Sequence, residues 1–239
     1  MDQPRHGGLR VAFFGGSFDP PHLGHLAVAR AARAALGLDS VLFAPVGAQP
    51  LKPHGAIAGF EDRVAMTRLA IAGEPGFAVS LVDAPRPEGA PNFTLDSLLR
   101  LRVELPSESV LFCLLGADAF FALQGWHRSA EIPFVAPLIV ASRPGQRLDD
   151  LTAALPEGLS IEFTPDADRT GSAVELGACL LRNSAGKSAP FYLLPGLNVE
   201  ISASDIREQL GAASESRTTT RELLPVPVSD YIRSHNLYR

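Results

Sequence analysis

Residues 9–36 read LRVAFFGGSFDPPHLGHLAVARAARAAL: an apolar run, a glycine–proline turn carrying two histidines, then apolar residues at helical spacing. The run at 9–14 has the composition of a short buried strand, and 23–36 repeats Leu, Val and Ala with a helical period. Residues 15–25 are therefore a strand-to-helix turn. Gly15 and Gly16 remove two side chains where a backbone could approach a ligand, and Pro20 and Pro21 set the chain direction before the helix. His22 and His25 are three positions apart, so one helical turn presents both on the same face. A helix N-terminus adds amide donors and a positive dipole end, which makes a polyphosphate site the natural reading. The glycine spacing is not that of a dinucleotide fingerprint, and no Gly-Lys-Ser/Thr follows to make a Walker A loop.

Outward from this turn, strand-like runs recur at 40–44, 77–81, 109–115, 137–141 and 159–163, with helix-like stretches between most of them. The alternation predicts an α/β fold, a doubly wound parallel sheet, with ligands beyond the carboxyl ends of the strands, where the Gly15 turn falls. At 239 residues the chain is expected to form a single domain, with core 9–163 and 191–239. The stretch 164–190 mixes turn residues with a helix-like piece at 173–182 and reads as a surface insertion. A small C-terminal helical segment is expected at 201–210, opened by Ser202 or Ser204 as a cap, and at 228–235.

Hydrophobic residues make up 46% and charged residues 20%, which excludes disorder as the main state. Lys and Arg number 21 against 26 Asp and Glu, for a net charge of -5. That balance argues against a nucleic-acid partner, so a phosphate ligand needs a local basic cluster. Cys113 and Cys179 read as reduced residues, neither disulfide nor metal pair. There is no signal-like segment and no apolar window of membrane-spanning length, so a cytoplasmic protein without a membrane partner is expected.

The run GGSFDPPHLGH resembles the signature of the nucleotidyltransferase superfamily, whose core is H-x-G-H, and in its longer form the bacterial nicotinate mononucleotide adenylyltransferases. Five further segments are similar to that family. In PVGAQPLKP (45–53), Lys52 falls on the lysine that reaches the triphosphate of ATP in the family, with Leu51 where many relatives have His; by itself it reads as a solvated loop lysine. In NFTLDSL (92–98), Thr94 falls on the threonine against the pyridine nucleotide, although helix capping alone explains it. Asn92 and Phe93 stand there for serine and tyrosine.

Gly116, Ala117 and Asp118, with Trp126 eight residues beyond the aspartate, resemble the family's G-A-D and tryptophan: the carboxylate is implied on the ATP side and the indole on the nicotinate ring. ISASDIR (201–207) resembles a phosphate cradle of Ile201, Ser202, Ser204 and Arg207, with Ala203 replacing one hydroxyl. The closing stretch 224–239 looks like the family's last segment and reads as packing; His6, His54, His127 and His235 join no constellation.

The resemblance implies a Rossmann-like nucleotidyltransferase fold and transfer of AMP from ATP to nicotinate mononucleotide, giving nicotinate adenine dinucleotide and pyrophosphate. His22, His25, Lys52 and Arg207 are the implied catalytic residues. Gly15, Gly16, Ser17, Phe18, Gly116 and Asp118 join them around ATP with the 201–207 cradle, and Gly16, Ser17, Lys52, Thr94 and Trp126 surround nicotinate mononucleotide. Mg²⁺ is expected to arrive with ATP rather than in a protein cage. A sister transferase using nicotinamide mononucleotide or another phosphorylated acceptor shares 15–25, and a non-catalytic nucleotide-binding paralogue fits the departures at Leu51, Asn92, Phe93 and Ala203. A homo-oligomer stays open.

Overall fold

The computed structural model describes residues 8–50, 55–142, 148–163, 179–194, 201–211 and 222–239. Strands β1 (Arg10–Gly16), β2 (Ser40–Pro45), β3 (Phe77–Val79), β4 (Val110–Gly116), β5 (Leu138–Ala141), β6 (Leu159–Phe163), β7 (Cys179–Asn183) and β8 (Ser188–Leu194) form one sheet in the order β3-β2-β1-β4-β5-β8-β7-β6. Helices α1 (Leu23–Leu36), α2 (Phe60–Ala70), α3 (Thr94–Glu104), α4 (Ala117–Phe121), α5 (Ile132–Val135), α6 (Leu148–Ala153), α7 (Ala203–Gly211) and α8 (Val226–Ser234) surround it.

β1 to β5 and β8 pair in parallel, in the register Phe13↔Leu42 and Phe13↔Cys113 at the centre. β7 is antiparallel to both its neighbours. The chain runs from β1 outward to β3 and then returns to β4 on the other side of β1, so the order of winding reverses between β1 and β4. Their carboxyl ends, Gly16 and Gly116, flank the crevice where such sheets bind ligands.

Strand alternation divides the core. Val11 and Phe13 of β1 face the side covered by α3 and α5, where Leu98 and Ile132 are buried. Ala12 and Phe14 face the side covered by α1, through Leu26, Ala29 and Ala32. A third cluster lies among α2, α7 and α8, where Met66, Ile206, Val228 and Ile232 pack with Leu224 and Tyr238.

Two sequence expectations are corrected. The helix-like reading of 173–182 fails over its described part, because Cys179–Asn183 is strand β7; residues 164–178 lie outside the described residues. The surface-insertion reading of 164–190 fails for its last part, since β7 and the start of β8 belong to the sheet, with Leu181 fully buried. The hairpin turns at Gly186 (φ 79°), and Asn183 Oδ1 accepts the N–H groups of Ala185 and Lys187 at 3.1 and 2.9 Å. Pro190 within β8 is what makes this strand look like loop in sequence.

Candidate active site

The residues that carry the sequence reading converge on one cleft of about 1090 Å³ at the β1/β4 crevice. Gly15, Gly16, Ser17, Phe18, His22 and His25 line it from the first strand-to-helix turn, and Gly116, Asp118 and Trp126 from the second. Thr94 comes from the start of α3, and Ile201, Ser202, Ser204 and Arg207 close the far rim from α7. Lys52 lies outside the described residues.

His22 is the residue preceding α1, and its C=O accepts the His25 N–H at 3.0 Å. The His22 N–H donates to His25 Nδ1 at 3.2 Å, and the two rings stack with centroids 3.7 Å apart. With Nδ1 accepting, Nε2 is the nitrogen of His25 that carries the proton and donates. Burial lowers the His22 pKa to about 4, and burial followed by the neighbouring His22 lowers that of His25. Two neutral imidazoles therefore face the cleft. His22 Nδ1 is buried without a hydrogen-bond partner, an arrangement that persists where a ligand supplies one. The helix end offers fewer amide donors than the sequence suggests, because Leu23 N–H is taken by the C=O of Leu223 at 3.0 Å.

The glycines serve neighbouring rings as much as a ligand. A Cβ on Gly15 would sit 2.7 Å from Phe13 Cε1, and one on Gly16 would sit 3.3 Å from Phe18 Cζ. At Gly116 a Cβ would meet nothing within 4 Å, so this glycine leaves open cleft where β4 ends. Phe18 adopts a left-handed backbone (φ 47°) and buries its ring between Phe14, Phe43 and His25.

Arginine anchors fix the turn. Arg63 of α2, 2% exposed, donates to the carbonyls of Ser17 (2.7 Å), Val46 (2.8 Å) and Ala58 (3.2 Å). Burial lowers its pKa from the usual arginine value. Arg207 donates from Nη1 to the C=O of Asp19 at 2.7 Å and from Nη2 to Ser204 Oγ at 3.1 Å, so its guanidinium is oriented across the cleft mouth. Ser202 Oγ accepts the Ser204 N–H at 3.2 Å and caps α7, which starts at Ala203.

On the acceptor side, Thr94 is the first residue of α3 and not its cap; Phe93 holds the cap position without a side-chain bond. Asn92 is 4% exposed and ties two loops together, accepting the Ala48 N–H and donating to the C=O of Ala84, each at 3.0 Å. Trp126 packs its ring partly on the α3 side of the core.

Sequence reasoning missed three contributors. His127 stacks on Phe93 with centroids 4.3 Å apart and lines the cleft beside Trp126, a juxtaposition that only folding creates. Asp83 reaches the cleft floor as a buried carboxyl whose pKa is raised by burial, and it accepts a short hydrogen bond from Ser97 Oγ. Asp19, inside the recognised motif, accepts the N–H groups of Ile57 (2.7 Å) and Ala58 (3.0 Å) and the Tyr238 hydroxyl (2.7 Å).

A cytidylyltransferase-like family model matches residues 13–209. A protein of Gloeobacter violaceus named "probable nicotinate-nucleotide adenylyltransferase" is 39% identical over 97% of this chain and 97% of its own length. One of Trichlorobacter lovleyi with the same name is 35% identical over 97% of this chain and all of its own. Among solved structures, the nicotinic acid mononucleotide adenylyltransferase of Plasmodium falciparum complexed with NaAD shares the fold, with a TM-score of 0.67 over 96% of this chain and 97% of its own at 17% identity. The histidine turn at the head of α1, the full-length relatives and the shared fold agree, and the chain belongs to the nicotinate-nucleotide adenylyltransferase family of cytidylyltransferase-like enzymes.

Proposed function

We propose that the protein transfers AMP from ATP to nicotinate mononucleotide, releasing pyrophosphate and forming nicotinate adenine dinucleotide. The observation that carries this reading is the meeting of His22, His25, Asp118, Trp126, Ser202 and Arg207 around one cleft from three separate chain segments. The acceptor phosphate is already an anion, so the reaction needs no protein nucleophile. Catalysis reduces to holding two like-charged reactants in line and stabilising charge on the α-phosphate and the departing pyrophosphate.

Each residue takes a part that its setting supports. His25, neutral and donating from Nε2, follows charge onto the α-phosphate, while the neutral His22 ring stacks on it at the same turn. Arg207 and Lys52 hold the β- and γ-phosphates, with Ser202 and Ser204 at the head of α7 beside them. Gly15, Gly16, Ser17, Phe18 and Ile201 shape the nucleotide side, Gly116 leaves it room, and Asp118 accepts from a ribose hydroxyl. Thr94 and Trp126 bound the nicotinate end, where the paired rings of Phe93 and His127 extend the aromatic wall.

A Mg²⁺ ion would arrive bound chiefly by the nucleotide phosphates. That ion would neutralise phosphate charge during transfer. Among the described residues, no helix is long and apolar enough to cross a membrane.

The test is pyrophosphate release with MgATP and either nicotinate or nicotinamide mononucleotide, comparing kcat/KM. A strong preference for the acid is expected. Preference for the amide would move the assignment to the sister activity, and no turnover with either would overturn the catalytic reading.

A further inference from the structure

Asp19 is 3% exposed and sits three positions before His22, at the centre of the turn that presents both histidines. Its carboxylate accepts from two backbone amides, those of Ile57 and Ala58, and from the hydroxyl of Tyr238, 219 positions further along the chain. Its backbone C=O accepts from Arg207 Nη1 at 2.7 Å, while the same guanidinium nitrogen stands 3.9 Å from Asp19 Oδ2. One residue thus holds the histidine turn and the cationic rim together, and Arg207 bonds its carbonyl rather than its carboxylate.

Tyr238 is what keeps that choice. It is 8% exposed, with its ring in the cluster shared by α2, α7 and α8, and its left-handed backbone (φ 59°), uncommon for an aromatic residue, bends it to deliver the hydroxyl. Burial first, then Asp19, push its pKa up, so the phenol stays a neutral donor throughout the working pH range. Without that donor, Oδ1 of the buried carboxylate would keep only the Ala58 N–H, one donor fewer for a buried charge, and the Arg207 guanidinium already stands 3.9 Å from its Oδ2.

We propose that Tyr238 is a positioning residue for the transfer reaction: by donating to Asp19 it keeps the Arg207 guanidinium off the Asp19 carboxylate and turned to the cleft. The proposal rests on the reading of Arg207 as a phosphate-holding group. Its role is carried by the hydroxyl, whereas the ring serves packing.

A double-mutant cycle tests it. Tyr238→Phe keeps the ring and is expected to lower kcat about tenfold with KM for nicotinate mononucleotide changed less than twofold, and to weaken binding of a non-hydrolysable ATP analogue five- to tenfold by calorimetry. In an Arg207→Ala background the same change is expected to move either quantity less than twofold. Full losses that multiply in both backgrounds, or a Tyr238→Phe variant equal to wild type, would overturn the proposal. The binding arm needs no turnover, so a wild-type protein that binds ATP without releasing pyrophosphate would sink the transferase reading while the cycle still decides the role of Tyr238.

Discussion

His22 and His25 stack 3.7 Å apart, and both are held neutral, chiefly by burial. A pKa lowered from 6.5 to about 4 means that His22 favours the folded state fully above pH 6.5 and loses that contribution as pH falls toward 4. NMR titration of the ligand-free protein should place the His22 midpoint near 4, and kcat/KM, which reports free enzyme, should show no ionisation of His22 or His25 between pH 6 and 8. A midpoint near 6.5 would contradict the neutral pair. Replacing His25 by Ala should lower kcat/KM for pyrophosphate release by roughly 10² to 10³, the usual effect of removing one preorganised donor; a loss within threefold would exclude that role. The sequence displays both histidines and their spacing. It does not display their stacking or the accepting state of Nδ1, which depend on the rings of Phe14 and Phe18 closing around His25.

At the scale of elements, two glycines ending strands have opposite reasons. Gly15→Ala would drive a methyl into the buried Phe13 ring, so unfolding measurements should show a loss of about 1–3 kcal/mol. Gly116→Ala meets no protein atom, so its stability should stay within about 0.5 kcal/mol of wild type while KM for ATP rises. The sequence alone gives both glycines the same meaning, because only the opposing side chain separates them. Strands β1 to β6 are legible from their apolar runs. β7 and β8 are not: Cys179, Leu181, Ala189, Phe191 and Leu193 alternate as sheet residues should, but Pro190 and the turn at 184–187 break the run. Leu181→Ala distinguishes the two descriptions of this stretch. Buried in the sheet, it should cost about 2–5 kcal/mol in denaturant unfolding, whereas a surface excursion would lose almost nothing.

Over the whole molecule, the alternation of strands and helices displays a doubly wound sheet with its cleft beyond the Gly15 turn, but not the strand order that reverses beside β1. The wall opposite was readable only as a motif, ISASDIR, since nothing in local sequence says that α7 packs on α2 and α8. That packing has a thermal consequence. His22 and His25 stand on the sheet's cores, whereas Arg207 stands on a helix whose buried residue, Ile206, belongs to the separate cluster around Met66 and Val228. Two cores of unequal size wall one cleft, so the ligand-free protein should melt in scanning calorimetry with a low-temperature shoulder from the helical lobe. ATP spanning from the histidines to Arg207 binds only when both are folded, and should raise the shoulder into the main peak. The nucleotide, on this view, is the component that makes sheet and helical lobe lose their structure as one cooperative unit.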